Sequence, residues 1–211
     1  MADRGSGLAG GGIKQRQARR SARSSRASIL ATAKELFSTR GYAATSISDI
    51  VAAAGTSVGL PYYYFGSKAN IFLAIYREYQ GRQHARTSSA VASAEAGGAS
   101  GVELLAVGVR AYLEGAWVDR DVIPLIHGRD VPPELQEVME SGGDLWSDQM
   151  LWLLPTLEKS AAKRCLILLS DSLSAASFRV STSSSPAEAE EWVHLAVTMT
   201  RSLLHGVVGE A

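Results

Sequence analysis

The chain has 211 residues, of which 46% are hydrophobic and 20% are charged, as is ordinary for a soluble globular protein. No apolar run reaches the roughly 18 residues needed to cross a bilayer, and Cys165, as the single cysteine, excludes an internal disulfide framework. We therefore expect a cytoplasmic protein with no membrane partner, because a reducing compartment suits a chain without disulfides.

The net charge of zero hides an uneven distribution along the chain. Residues 1–82 contain 12 Lys and Arg against 4 Asp and Glu, whereas residues 83–211 contain 9 against 17. A basic end on an otherwise acidic chain is typical of a protein whose basic part meets nucleic acid. A basic tail that is merely solvated is the alternative.

Residues 1–24 are rich in Gly, Ser and Arg and contain few large apolar side chains. Such a stretch cannot bury enough surface to order itself, so we predict a disordered basic arm. Its arginines either lie along DNA phosphates and the minor groove or only solvate the arm.

A first helix is predicted from about Ser25 to Thr39. The apolar stripe of this helix consists of Ile29, Ala33, Leu36 and Phe37.

The segment after the first helix has the pattern of two short helices around a tight turn. Ser46 and Asp49 form a variant capping box at the start of one helix, and Gly55 ends it. Ser57 then caps a second helix, predicted over Val58 to Phe65. This order is that of the helix-turn-helix motif, whose second helix enters the DNA major groove. A buried helical cluster with tyrosines in its core is the alternative.

Many positions around this motif match the pattern of one known family in register. They are Leu36-Phe37, Gly41-Tyr42, Thr45-Ser46-Ile47, Ile50-Val51, Ala54-Gly55-Thr56-Ser57, Gly59, Tyr62, Tyr64-Phe65 and Ser67-Lys68. From Arg26 to Tyr76 the sequence resembles the DNA-binding domain of the TetR family of transcriptional regulators. The chain departs from the family pattern at Val58 and Pro61.

The resemblance implies a set of DNA contacts around the second helix of the motif. Phosphate contacts carried over from matching positions are Ser46, Ser48, Tyr62 and Lys68. Candidate base or groove contacts are Ser57, Val58, Gly59, Leu60 and Tyr63. Because this helix tip carries no charge, we expect it to read thymine methyls and DNA shape rather than guanines through arginine forks.

Beyond the motif the sequence predicts only helices. A fourth helix begins near Ser67 and continues to about Ser93, and no later stretch has the alternating Val, Ile and Thr runs typical of strands. Prolines divide the middle of the chain into short predicted helices at 121–127, 133–140 and 143–154.

The expected fold class is therefore all-α. A three-helix helix-turn-helix head, residues 25–70, is joined by a long helix to a larger helical domain, residues 71–211. The resemblance assigns effector binding and dimerisation to this larger domain.

Aromatic side chains in the larger domain are candidates for an effector cavity between helices. They and one histidine are Tyr112, Trp117, His127, Trp146, Trp152 and Phe178. Plain core packing is the alternative for each of them. Asp171 is unusual in an apolar helix, where it could cap, pair with Arg179 or face a pocket.

The last two predicted helices, about 160–180 and 186–208, each carry two apolar faces. One face suffices for the core of a monomer, so the second indicates a partner or complete burial. In the resembling family these helices form a four-helix dimer bundle. The predicted dimer-interface residues are Leu166, Leu169, Leu173, Val193, Val197 and Leu204.

Motifs for catalysis are absent: the sequence has no Gly-rich phosphate loop, no HExxH and no GxSxG, and we expect no enzyme, metal or cofactor. The hypothesis is a homodimeric repressor that binds a palindromic operator on double-stranded DNA and is released by a small organic effector. The alternatives are a helical small-molecule-binding protein with a non-functional DNA head, and a non-specific architectural DNA binder.

Overall fold

Helices account for the whole regular structure of the described chain. The computed structural model describes residues 9–209, with side chains for 23–142 and 146–206. Within that range it contains α-helices and one 3-10 turn but no strand, which confirms the predicted all-α class. The helices are α1 (Ala9–Arg40), α2 (Ile47–Ala54), α3 (Gly59–Phe65), α4 (Lys68–Ala96), α5 (Val102–Val118), α6 (Ile123–Ile126), α7 (Glu134–Met150), α8 (Lys159–Ser181) and α9 (Pro186–Gly209), with the 3-10 turn at Leu151–Leu153.

Contacts divide the chain into two compact units, Met1–Ile75 and Tyr76–Ala211. We call them the head and the body and describe each by itself. The predicted boundary, between residues 70 and 71, lies five residues before this division. Both positions fall within α4, so this helix contributes its first turns to the head and the remainder to the body.

Helix α1 begins earlier than predicted. It starts at Ala9 rather than near Ser25, so residues 9–24 of the predicted disordered arm have helical backbone. Residues 1–8 of that arm lie outside the described residues. The stretch before Ser25 contains Ala, Gln, Lys and Arg, which have high helix propensity. A helix whose far end is already packed extends through such residues at little cost.

The head is held together by a small aromatic and aliphatic core. Ile29, which belongs to the predicted apolar stripe of the first helix, is completely buried, as are Ile50 of α2 and Phe72 of α4. The rings of Phe37, Tyr42 and Phe72 surround one another with centroids 5.5–5.6 Å apart. Such aromatic contacts add about 0.5–1.5 kcal/mol each to the burial of their surface, so this cluster fixes α1 against α4.

The body is built around α5, which packs against α8 and α9. The two short helices predicted within residues 133–154 are one helix, α7, followed by the 3-10 turn. The pair Gly142-Gly143 does not end it, because a glycine costs only about 1 kcal/mol inside a helix that is held by packing. Completely buried core side chains include Leu113, Leu166 and Leu204.

The predicted dimer-interface residues were wrong, because all of them lie in the core of the protomer. Leu166, Leu169, Leu173, Val193, Val197 and Leu204 are at most 8% exposed. Periodicity identifies two apolar faces on each helix but cannot say which of them turns towards α5. The other face is the exposed one. It carries Leu168 of α8 and Leu195, Met199 and Leu203 of α9, which are 48–65% exposed.

Candidate nucleic-acid interface and effector cavity

Helix α2 begins with the predicted capping box. The Ser46 Oγ accepts from the Asp49 N–H at 3.1 Å, and the Asp49 carboxylate accepts from the Ser46 N–H at 2.8 Å. The Asp49 carboxylate also accepts from the Ser46 hydroxyl, and this bond, together with the bond from the Ser46 N–H, lowers the pKa of Asp49. At the other end, Gly55 has a φ of 61°, the left-handed conformation that glycine adopts without strain. The box and the glycine together set the direction of the chain as it leaves α2.

Helix α3 begins without the predicted serine cap. Its N-cap residue is Val58, and no side chain caps it. Ser57 instead offers its carbonyl oxygen, which accepts from the Leu60 N–H at 3.1 Å. A side chain folds back as a cap when its own backbone is extended. Here the backbone is already helical at Val58, with φ −56° and ψ −32°, so the turn runs directly into the helix.

One side of α3 is buried and the other faces solvent. Pro61 and Phe65 pack into the head, whereas Val58, Tyr62 and Tyr63 are 62%, 53% and 80% exposed. Large apolar side chains that are exposed together usually mark a binding surface. The remaining candidate contacts divide into exposed Ser46, Ser48, Ser57 and Gly59 and half-buried Leu60 and Lys68. The exposed side of α3 thus contains most of the predicted base contacts.

Lys68 has a different environment from the one expected of a phosphate contact. Its Nζ donates to the carbonyl oxygens of Tyr42 and Thr45 at 2.7 and 2.9 Å, and Ala43 O lies 3.5 Å away. The same ammonium is 4.2 Å from the centroid of the Tyr42 ring. An ammonium group has three donors, and these carbonyls are all within reach of it. Lys68 therefore ties the loop between α1 and α2 to the start of α4.

We expect Lys68→Met to lower the free energy of unfolding of the head by about 1–2 kcal/mol, because backbone carbonyls lose a charged donor. DNA affinity should fall while the salt slope stays unchanged, since a direct phosphate contact adds about one to that slope. Far-UV circular dichroism during urea unfolding and a salt titration of DNA binding measure the two effects. A slope that falls by about one, with stability unchanged, would contradict the positioning role and support a phosphate contact.

The body contains a cavity of about 1050 Å³, lined by residues of α4, α5, α6, α7, α8 and the 3-10 turn. Of the predicted effector contacts, Tyr112, Trp146 and Trp152 line it, whereas the remaining three are not among its lining residues. The ring of His127 packs against that of Phe178 in a tilted arrangement, with centroids 5.9 Å apart. Burial lowers the pKa of His127. The sequence predicts that these aromatic residues lie on helices, but it does not predict which of them point into the cavity.

The contribution of α4 to the wall of this cavity was not predicted from the sequence. Tyr76, Gln80, Gln83 and His84 line the cavity at helical spacing, and this repeat of uncharged polar residues was the available signal. Gln83 Nε2 donates to Tyr79 Oη at 3.2 Å and to the Tyr112 carbonyl at 3.3 Å. Burial raises the pKa of both Tyr76 and Tyr79, so both hydroxyls are protonated. The cavity therefore combines an apolar lining with a polar wall.

A charged cluster holds this wall against the end of α5. Arg82 places Nη2 2.7 Å from Asp119 Oδ1, and Arg86 Nη1 donates to Asp119 Oδ2. Gly115 allows the helices to approach, because a Cβ there would lie 2.1 Å from Gln83 Oε1. Asp119 thus fixes two neighbouring turns of α4, and with them the position of Gln83 in the cavity.

Comparison with known proteins agrees with this geometry. The family model described as bacterial regulatory proteins, tetR family, matches residues 29–75, the part of the head from the middle of α1 onward. No curated protein sequence matches the chain significantly. Among the described residues no helix is long and apolar enough to span a bilayer.

Solved structures extend the similarity to the body. A TetR-like transcriptional regulator from Rhodococcus sp. RHA1 is 25% identical, over 88% of this chain and 96% of its own, with a TM-score of 0.62. A TetR-family transcriptional regulator from Pectobacterium atrosepticum is also 25% identical, over 89% and 96%, with a TM-score of 0.57. The fatty acid degradation regulator FadR from Bacillus halodurans shares the fold, with a TM-score of 0.67 over 84% and 94% at 16% identity.

The matched segment contains the structural features of the head described above. The capping box at Ser46, the glycine turn at Gly55 and the exposed side of α3 all fall within the matched segment. The head thus contains the DNA-binding domain typical of the TetR family, over residues 29–75, and the chain has the fold of TetR-family transcriptional regulators.

Proposed function

We propose that the chain is a repressor that binds a palindromic operator as a homodimer, has no catalytic activity of its own and is released by a small organic effector. The exposed side of α3 carries this proposal. Val58, Tyr62 and Tyr63 present apolar surface and hydroxyls to solvent, and such groups can contact thymine methyls and phosphates. Residues 57–66, which include all of α3, carry no arginine or lysine, so we expect readout to rest on shape and apolar contact.

The exposed apolar stripe on α8 and α9 supports dimerisation. Leu195, Met199 and Leu203 recur every four residues along α9 and lie on one side of it, and Leu168 of the adjacent α8 is also exposed. A second copy related by a two-fold axis would cover this stripe with the same stripe. Two heads presented by such a dimer would reach successive major grooves, which is why the operator is expected to be palindromic.

The cavity supports release by an effector. Its volume of about 1050 Å³ lies just above the range of about 300–1,000 Å³ typical of ligand sites. An effector that prefers the conformation unable to bind DNA would lower operator affinity, by about 5–150-fold for a typical coupling of 1–3 kcal/mol. Helix α4 carries one wall of the cavity and also belongs to the head at its first turns.

Selection of the operator from random duplex DNA tests the proposal directly. We expect recovered sites with two inverted half-sites about one helical turn apart, bound in a salt-dependent way. Equal affinity for any duplex would favour an architectural DNA binder instead. Absence of DNA binding by a folded dimer would favour a small-molecule-binding protein with a non-functional head.

We expect Gly59→Ala to weaken operator binding about tenfold without destabilising the head. No atom lies within 4 Å of a Cβ built at Gly59, and alanine favours a helix by about 0.5–1 kcal/mol over glycine. In the complex, however, the added methyl group would keep the tip of α3 from the DNA backbone. Fluorescence anisotropy with the selected operator measures the affinity, and urea unfolding measures the stability.

The matched control is Gly81→Ala in α4, where a Cβ also has no atom within 4 Å. It should leave operator affinity unchanged. If Gly59→Ala binds the operator as tightly as the natural chain, the tip of α3 does not approach DNA closely and the contact assignment is wrong.

A further inference from the structure

We propose that the cavity of the body selects an organic cation with a bulky aromatic or apolar body, and that Asp171 and Glu140 attract its positive charge. The inference deepens the proposed effector release and rests on it only for the effect on DNA. The preference of the cavity for cations is a property of the body, so direct binding measurements can test it without measuring DNA binding.

The charges that line the cavity favour a cation. Among the lining residues with described side chains there are two carboxylates, Glu140 and Asp171, and neither Lys nor Arg. His84 is the only basic side chain in that set. Arg86 contacts the lining residue Gln83, but it is paired with Asp119 and does not itself line the cavity. A desolvated anion needs a positive partner, and among these lining residues only His84 could offer one to a carboxylate or phosphate ligand.

Asp171 is the informative residue of the pair. The sequence left open whether it caps a helix, pairs with Arg179 or faces a pocket, and the structure places it in the cavity lining beside Ser170 and Ser174. Within the described part of the chain, no side chain forms a hydrogen bond or ion pair with it. A carboxylate without a cation partner, at the edge of an apolar cavity, is complementary to an ammonium or phosphonium group.

The second carboxylate, Glu140, adds charge of the same sign. It is exposed and accepts a hydrogen bond from Gln136 Nε2 at 2.9 Å, and both residues line the cavity. Because Asp171 is exposed as well, solvent and salt screen both carboxylates. Each of them should therefore contribute selectivity rather than most of the affinity.

The rest of the lining suits a bulky apolar body. Aromatic side chains offer their faces to a cation, an interaction worth about 0.5–2 kcal/mol, and aliphatic side chains surround them. The aromatic lining residues are Tyr76, Tyr112, Trp146 and Trp152, and the aliphatic ones include Leu105 and Val109.

Two ions of the same shape and opposite charge test the proposal. Tetraphenylphosphonium and tetraphenylborate share a four-phenyl body, and triphenylphosphine oxide is a neutral relative. Isothermal titration of the full chain at pH 7.5 should show tetraphenylphosphonium binding at least about tenfold more tightly than the other two. Added salt should reduce this preference, because the carboxylates are exposed.

Variants assign the preference to the two carboxylates. Asp171→Asn and Glu140→Gln should each weaken tetraphenylphosphonium binding about two- to fivefold, as expected for exposed charge pairs, and the double variant should weaken it further. Binding of triphenylphosphine oxide should not change. The control is Glu137→Gln, because Glu137 is an exposed carboxylate of the same helix α7 that does not line the cavity.

Three results would overturn the inference: tetraphenylborate or the neutral compound binding as tightly as tetraphenylphosphonium, none of the three binding, or an unchanged preference in the double variant. Operator release is measured separately by anisotropy. Selective cation binding without release would remove the proposed effector mechanism and leave the cavity assignment intact. Release by neutral compounds only would overturn the cation selectivity of the cavity and leave the proposed effector mechanism intact.

Discussion

The double substitution Met199→Asp and Leu203→Asp is expected to prevent the proposed homodimer from forming and to leave a folded monomer. Both side chains are about half exposed or more, at 60% and 49%, so aspartate there should change the stability of the protomer by less than about 1 kcal/mol. In the dimer, by contrast, the carboxylates would be buried against an apolar copy of the same stripe. Sedimentation equilibrium measures the change in assembly.

Operator affinity should fall with the loss of the dimer. Two linked heads gain about 10²–10⁴-fold in affinity over one head, because the second contact is intramolecular. The matched control is the next residue, Leu204→Ala. Leu204 is completely buried, so its truncation should lower the free energy of unfolding by about 2–5 kcal/mol. A stable dimer carrying both aspartates would show that the exposed stripe on α9 is not the interface.

Asp119→Ala is expected to lower the free energy of unfolding of the body by about 2–3 kcal/mol. It removes the acceptor that Arg82 and Arg86 share, and the Asp119 side chain is only 9% exposed. Breaking a fully buried ion pair costs about 3–5 kcal/mol. The arginine side chains are 43% and 32% exposed, so solvent reduces that cost.

Tryptophan fluorescence during urea unfolding is suited to this measurement, because all four tryptophans lie in the body. The control is Asp148→Ala, which removes the partner of Lys163 from a pair whose side chains are 54% and 38% exposed. Exposed pairs contribute about 0–1 kcal/mol, so little change is expected. If Asp119→Ala is as mild as the control, the cluster does not hold α4 against α5.

Asp119→Ala should also weaken binding in the cavity. Gln83 lies between the charged cluster and the cavity wall, where it accepts from Arg86 and donates to the Tyr112 carbonyl. Loss of Asp119 frees Arg86, and the position of Gln83 is then less restricted. This effect distinguishes a positioning role from a purely stabilising one.

The head was largely predictable from local signals. The capping box at Ser46 and the left-handed Gly55 depend on residues within one or two turns, so short-range chemistry determines them. The serine cap of α3 was not predictable in the same way. Whether a serine caps depends on its backbone conformation, and α3 begins after Val58, whose backbone is already helical and whose side chain forms no cap.

The side-chain roles that cross between helices were not predictable. Lys68 has the residue type of a phosphate contact, but its distance to Tyr42 O and Thr45 O is known only once α4 meets the loop after α1. The same holds for Gly115, whose missing Cβ matters only because Gln83 comes from another helix.

The sequence by itself determined the all-α class, the helix-turn-helix and the presence of two apolar faces on α8 and α9, because periodicity and capping act within a few turns of one helix. The tertiary structure alone decided which of those faces is core. It turned Leu204 inward and left Leu203 exposed. It also placed Asp171 in the lining of the cavity. The direction of a side chain depends on how whole helices rotate against each other, and the residues next to it in the sequence do not determine that rotation.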